Sequence, residues 1–225
     1  MAYEKVFTAE DYAATMIAMC WSMKATEYKA TKPLNCLYYW GNGKWSADCN
    51  NLYKCSIWGK GELPKNVGGY WYNPGRYGLG DLTCKQLIES CSDVSSDFSK
   101  KVKAELMYIS DPNPLWGHIG IHVGDFQKTI NGKTYTYNTI ESTPIWNNGI
   151  QSTYVDEQGR RYQCKGGAQA GVWEKHGKAP NIDYGDQNVE QPFTFSTKTE
   201  NGKTIIAVDG KGTLEVSTAV TVKSI

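Results

Sequence analysis

Apolar side chains return at helical spacing soon after the start of the chain, where Tyr12, Met16, Met19, Cys20 and Met23 follow the capping-box-like run Thr8-Ala9-Glu10-Asp11. That spacing predicts an amphipathic helix over residues 8 to about 26, with its methionine stripe turned to the core. The period is then lost. Between Tyr28 and Ala47, Pro33 and Gly41-Asn42-Gly43 punctuate a stretch carrying Tyr38, Tyr39, Trp40 and Trp45, which predicts a loop with aromatic side chains to place. A second helix is predicted from Asp48-Cys49 through Leu52, Tyr53 and Ser56, stopped by Gly59 and Gly61. Glycines 68, 69, 75, 78 and 80 predict irregular surface chain, and a short helix follows from Thr83 to Cys91.

Beyond residue 103 the period shifts to two. Strands are predicted over Ala104–Ile109, His118–Val123, Thr134–Ile140 and Ile150–Val155, separated by Asp111-Pro112-Asn113-Pro114, Asn131-Gly132 and Asn147-Asn148-Gly149. Helices first and a β-meander afterwards is an α+β order, with N-terminal helices packed on an antiparallel sheet. After Tyr184 cysteine and tryptophan disappear, and Asn201-Gly202 and Asp209-Gly210 punctuate β-prone runs at Thr204–Val208 and Thr213–Val216. The chain is therefore expected to divide into a domain of residues 1–184 and a hairpin-rich, β-rich C-terminal appendage of residues 185–225. About 40 residues rarely hold a core alone.

Composition changes this picture in three places. Twenty-four Lys and Arg against 23 Asp and Glu leave a formal charge of +1, which supplies no electrostatic reason to expect nucleic acid or an anionic membrane as partner. No basic and then apolar leader opens the chain, and no run approaches the roughly 20 apolar residues that span a bilayer, so no signal peptide and no membrane span are expected. Seven cysteines, an odd number with no C-x-x-C pair, argue for reduced, mostly buried thiols and against a zinc ribbon. The 8 Trp and 15 Tyr outnumber 5 Phe, and such amphipathic rings suit a surface that grips sugars or peptides. Tyr38, Tyr39, Trp45, Trp71 and Trp116 are the candidates to line a substrate groove, against the alternative of ordinary packing.

Two features carry chemistry. Trp45-Ser46-Ala47-Asp48-Cys49-Asn50-Asn51-Leu52 places Cys49 where a polar segment enters a helix, and there the helix dipole and free N–H groups stabilise a thiolate. Asp48 reads as the helix cap. Trp116-Gly117-His118-Ile119-Gly120-Ile121-His122-Val123-Gly124-Asp125 is a strand with two histidines on one face, separated by roughly 13 Å, too far to share a metal. No metal or other cofactor is expected. His122 and His176 read as structural or rim residues. A cysteine at a helix start and a histidine on a glycine-flanked strand are the two halves of a thiolate–imidazolium pair.

In these residues the chain resembles the bacterial and phage NlpC-type cell-wall cysteine peptidases, with the CHAP amidases as near neighbours, over roughly Thr8 to Tyr184. Asp48-Cys49 resembles the family's Asp-Cys-Ser helix start, and Gly117 to Asp125 resembles its catalytic-histidine strand. Ile140-Glu141-Ser142-Thr143-Pro144 stands where the family places a third polar residue, and Trp173 to Lys178 followed by Asp183-Tyr184 resembles the closing segment of phage lytic enzymes. Asn50 departs from the usual Ser, and Glu141 stands where NlpC-type enzymes often have His. The resemblance implies a papain-like fold and a hydrolase with Cys49 as nucleophile, His118 as general base and Glu141 as orienting residue. Asn138 is the competitor for the third place, on the opposite face of the strand.

The resemblance further implies bacterial peptidoglycan as partner and a stem or cross-bridge amide as substrate, cut by an endopeptidase or by an N-acetylmuramoyl-L-alanine amidase. It implies a phage lysin made in the host cytoplasm, or a virion-associated one. A non-catalytic wall-binding or carbohydrate-binding module is the alternative reading of the aromatic residues.

Overall fold

The computed structural model describes residues 2–110, 117–185, 194–200 and 203–209, the last two stretches as backbone strands. The chain divides into two compact units, Met1–Tyr184 and Gly185–Ile225. Within the second unit, Thr194–Glu200 and Lys203–Asp209 pair as an antiparallel hairpin, with Glu200 opposite Lys203. The predicted run Thr213–Val216 lies outside the described residues.

The described residues of the first unit contain three α-helices: α1 (Ala9–Ser22), α2 (Cys49–Trp58) and α3 (Cys84–Glu89). Each begins at a polar cap. Thr8 Oγ1 accepts from Asp11 N at 3.1 Å and Asp48 Oδ1 from Asn51 N at 2.7 Å. Thr83 and Gln86 form a full capping box, each side chain taking the other's backbone N–H. α2 ends at Gly59, whose N–H returns to Cys55 O. α1 stops short of residue 26 because Ala25–Tyr28 pairs as a strand instead.

The segment 28–47 is not a loop. Ala25–Tyr28 runs parallel to Lys44–Ala47, which pairs antiparallel with Leu37–Gly41, which in turn pairs with Tyr70–Trp71. The Asn42-Gly43 dipeptide that breaks the apolar pattern is the turn that makes the hairpin. Both residues sit at positive φ, 55° and 77°, which gives the backbone the twist of a tight two-residue connection.

The main sheet has eight strands, every neighbouring pair antiparallel, in the order Gln169–Val172, Arg160–Tyr162, Gly149–Val155, Lys133–Thr143, His118–Ile130, Glu105–Ile109, Lys175–Lys178 and Ser92–Ser95. Six consecutive strands from Glu105 to Val172 make a meander. Lys175–Lys178 then inserts beside Glu105–Ile109, a long-range pairing that local pattern does not encode. The histidine strand and its partner run past their predicted ends to a turn at Asn131 (φ 51°) and Gly132 (φ 76°).

Strand alternation gives the sheet two faces. Leu106, Ile119, Ile121, Val123, Ile140 and Ile150 join Tyr12, Met16 and Met19 of α1 and Leu52 and Tyr53 of α2 in one buried cluster. Met107 and Val155 face the other way, with Trp173 and Phe98. The first cluster is the larger, and burial of each large apolar side chain in it is worth about 1.5–3 kcal/mol. It fixes the N-terminus of α2 against the sheet, and Ser142 adds a hydrogen bond to Ala47 O at 2.7 Å. Among the described residues no helix is long and apolar enough to cross a membrane.

Candidate active site

Cys49 is the first residue of α2, directly after the Asp48 cap, and His118 is the first residue of its strand. The two side chains are electrostatically coupled, each shifting the other's ionisation. His118 Nε2 lies 2.6 Å from Glu141 Oε2, which leaves Nδ1 as the nitrogen for sulfur. Glu141 is opposite Gly120 in the ladder, so it shares the face of His118. Asn138 points away from His118. Its amide clamps the backbone of Val155, donating to the carbonyl at 2.9 Å and accepting from the N–H at 2.8 Å. Of the two contenders for the third position, Glu141 is the one beside the imidazole.

Glu141 is fully buried and every lone-pair direction is used. Thr153 Oγ1 donates to Oε1 at 2.6 Å, Arg161 Nε donates to Oε1 at 2.9 Å, and Arg161 Nη2 donates to Oε2. Arg161 also donates to Thr143 Oγ1 at 2.9 Å, and its guanidinium lies against the rings of Trp146 and Trp173. Trp173 covers the other partner as well: its ring stacks on His118 with centroids 5.3 Å apart and planes within 13°. Gly120 makes room for this ring, since a Cβ there would lie 2.8 Å from it.

The electrostatics follow from these contacts. The hydrogen bond from Cys84, opposed by burial and reinforced by the His118 hydrogen bond and charge, holds the Cys49 thiol well below its ordinary value. For His118, burial pushes down, but the hydrogen bonds and charges of Cys49 and Glu141 outweigh it and raise the imidazole to about 9. Burial likewise pushes Glu141 up, and His118 and Arg161 together bring it down to about 2. All three shifts favour the charged forms: the thiolate of Cys49, the imidazolium of His118 and the carboxylate of Glu141. Asp48, raised to about 7 by burial and then by the Cys49 charge, acts as the cap and shares no bond with His118.

Four participants carry no role in the sequence reading. Cys84 Sγ lies 3.6 Å from Cys49 Sγ at the start of α3. Tyr28, from the small sheet, is coupled to the same thiol, and burial followed by the Cys49 charge pushes its ionisation up. Arg161 and Trp173 hold Glu141 and His118. None has a local motif at the site: each meets Cys49, His118 or Glu141 only across the fold, and only Cys84 stands beside a local signal, the Thr83-x-x-Gln86 cap.

The aromatic candidates divide. Tyr39 and Trp45 stack at 4.6 Å and line a pocket of about 620 Å³ between α1 and residues 61–65, which neither Cys49 nor His118 lines. Trp45 is only 8 % exposed. Tyr38 stacks on Tyr70, and Trp71 donates its indole N–H to Glu62 O at 2.7 Å. Trp116 lies outside the described residues. His122 and His176 are buried rather than at a rim: burial pushes His122 down to about 3, and His176 Nδ1 bonds Glu105 at 2.7 Å.

Comparison with protein-family models, with curated proteins and with solved structures finds no match to this chain.

Proposed function

We propose that this chain is a papain-like cysteine hydrolase that cuts an amide bond in the peptides of bacterial peptidoglycan. The observation that carries the proposal is the Cys49–His118–Glu141 constellation: a thiol at a helix N-terminus, an imidazole on the adjoining sheet, and a buried carboxylate 2.6 Å from the imidazole. That arrangement has the parts of nucleophilic catalysis in the order the chemistry needs them. The choice of peptidoglycan is supported by the likeness of Asp48-Cys49 and of Gly117 to Asp125 to the NlpC-type cell-wall peptidases. On this reading the protein is a phage lysin, released from the host cytoplasm or carried on the virion.

The Cys49 thiolate attacks the scissile carbonyl and the carbonyl electrons move to oxygen. The backbone N–H of Cys49, one of the unpaired donors at the start of α2, and the Tyr28 hydroxyl are the two donors for that oxyanion. The imidazolium of His118 protonates the leaving amine as the C–N bond breaks, giving an acyl-enzyme. His118 then takes a proton from water, whose oxygen attacks the thioester and restores the Cys49 thiolate. Glu141 keeps the imidazole oriented and stabilises its positive form, and Arg161 and Thr153 keep Glu141 ionised and fixed.

The test is mass spectrometry of fragments released from purified peptidoglycans by the wild-type chain and by Cys49→Ala. New ends that require Cys49 identify the bond, and an end at the lactyl–alanine amide marks an amidase while an end inside the peptide marks an endopeptidase. Binding without fragments from every wall type sinks the proposal in favour of a binding module.

A further inference from the structure

Cys84 meets the nucleophile sulfur to sulfur, and the fold holds it there. Its Sγ is 3.6 Å from Cys49 Sγ, and both residues are free thiols and buried, 5 % and 6 % exposed. Two side chains of α2 tie the segment ahead of α3 to the helix that carries Cys49. Asn50 Nδ2 donates to Leu82 O at 3.2 Å, and Lys54, itself buried, donates to Leu82 O at 2.9 Å and pairs with Asp81. On the other side Cys84 packs against Gly117, where a Cβ would come within 3.2 Å of the Cys84 Cβ. A disulfide needs the sulfurs at about 2.05 Å, a closure of roughly 1.5 Å from this position.

We infer that Cys84 is a resolving cysteine, and that a hydroperoxide converts the Cys49–Cys84 pair into a reversible disulfide that switches the nucleophile off and shields it from irreversible oxidation. In the first step the Cys49 thiolate attacks a peroxide oxygen. The S–O bond forms as the O–O bond breaks, sulfur is oxidised to the sulfenic acid, and the other oxygen leaves as hydroxide or alkoxide and takes a proton. In the second step Cys84 sulfur attacks the sulfenic sulfur, the S–O bond breaks, and the proton of Cys84 leaves with the hydroxyl as water. What holds Cys84 protonated is first its hydrogen bond to the charged Cys49 and then burial, and oxidation of Cys49 removes the first of these. The inference rests on the Cys49 thiolate of the proposed hydrolase and not on which bond that thiolate cuts.

The experiment treats the full chain with hydrogen peroxide, blocks free thiols under denaturing conditions and maps the peptides by mass spectrometry, with no cell-wall substrate present. A Cys49–Cys84 cross-link that dithiothreitol reverses is expected in the wild type. In Cys84→Ser, which keeps a hydroxyl donor beside Cys49, the same treatment is expected to carry Cys49 on to sulfinic acid, which dithiothreitol does not reverse. Cys36 and Cys55 are a second pair of coupled thiols, so the map also reads that bridge. A Cys36–Cys55 bridge without the Cys49–Cys84 one, or sulfinic acid at Cys49 in the wild type to the same extent as in Cys84→Ser, overturns the inference. If the cross-link forms but no peptidoglycan is cut, the hydrolase reading fails while the redox pair stands.

Discussion

The imidazole of His118 is held by a chain of side chains rather than by one partner, and the chain ends in a buried guanidinium. Glu141 spends its two oxygens on His118, Thr153 and Arg161, and Arg161 lies against Trp173, which also stacks on His118. Removing one member of a buried ion pair leaves the other charge uncompensated, which costs about 3–5 kcal/mol. Arg161→Ala is therefore expected to lower unfolding free energy by about that amount in denaturant titration. The pH dependence has a definite sign. Glu141 lies below its ordinary 4.5, so its contribution to stability is present above that pH and is lost as pH falls through about 2. In Arg161→Ala the loss moves to higher pH, and an unchanged acid limb would show that Arg161 does not hold the carboxylate. Much of this residue-scale picture was legible beforehand. Cys49, His118 and Glu141 sit in local contexts, a cap and alternating strand positions, that sequence displays. Arg161, Trp173, Tyr28 and Cys84 do not, because each meets its partner at the site only through tertiary packing.

At the scale of elements, the cap of α2 and the Trp173 contact set the distances. Gly120 lies in the histidine strand directly under the Trp173 ring, and a methyl group there would sit 2.8 Å from it. Gly120→Ala forces the ring away from His118, and overpacking of this kind costs about 1–3 kcal/mol. The expected result is a fall in thermal midpoint accompanied by a fall in hydrolytic rate, whereas a stable variant with full rate would remove Trp173 from the account. The helices were legible because their caps are local: Thr8, Asp48 and Thr83 each accept from a backbone N–H three residues on. The small sheet was not legible, because Gly41-Asn42-Gly43 reads as a break until Leu37–Gly41 finds Lys44–Ala47. The place of Lys175–Lys178 between Glu105–Ile109 and Ser92–Ser95 was hidden for a related reason, since it pairs with residues some seventy positions earlier.

Across the whole molecule, the first compact unit holds the buried apolar clusters found among the described residues and every group named at the site, while the hairpin of Thr194–Glu200 and Lys203–Asp209 belongs to the second. Residues 1–184 alone are therefore expected to unfold in one cooperative transition and to keep the reactivity of Cys49. Aggregation, or loss of that reactivity, would make residues 185–225 part of the working structure. The central claim, that Cys49 and His118 form a thiolate–imidazolium pair, is tested most directly by the pH dependence of Cys49 alkylation with iodoacetamide. Peptide mapping must assign the label, because the chain has seven cysteines and Cys36 also lies below its ordinary value through its hydrogen bond with Cys55. Cys49 is expected to react at mildly acidic pH, with a further change as His118 deprotonates near 9, and in His118→Ala the reaction is expected to move up toward the ordinary thiol range. Alkylation of wild-type Cys49 that begins only near 9 and is indifferent to His118→Ala would contradict the account.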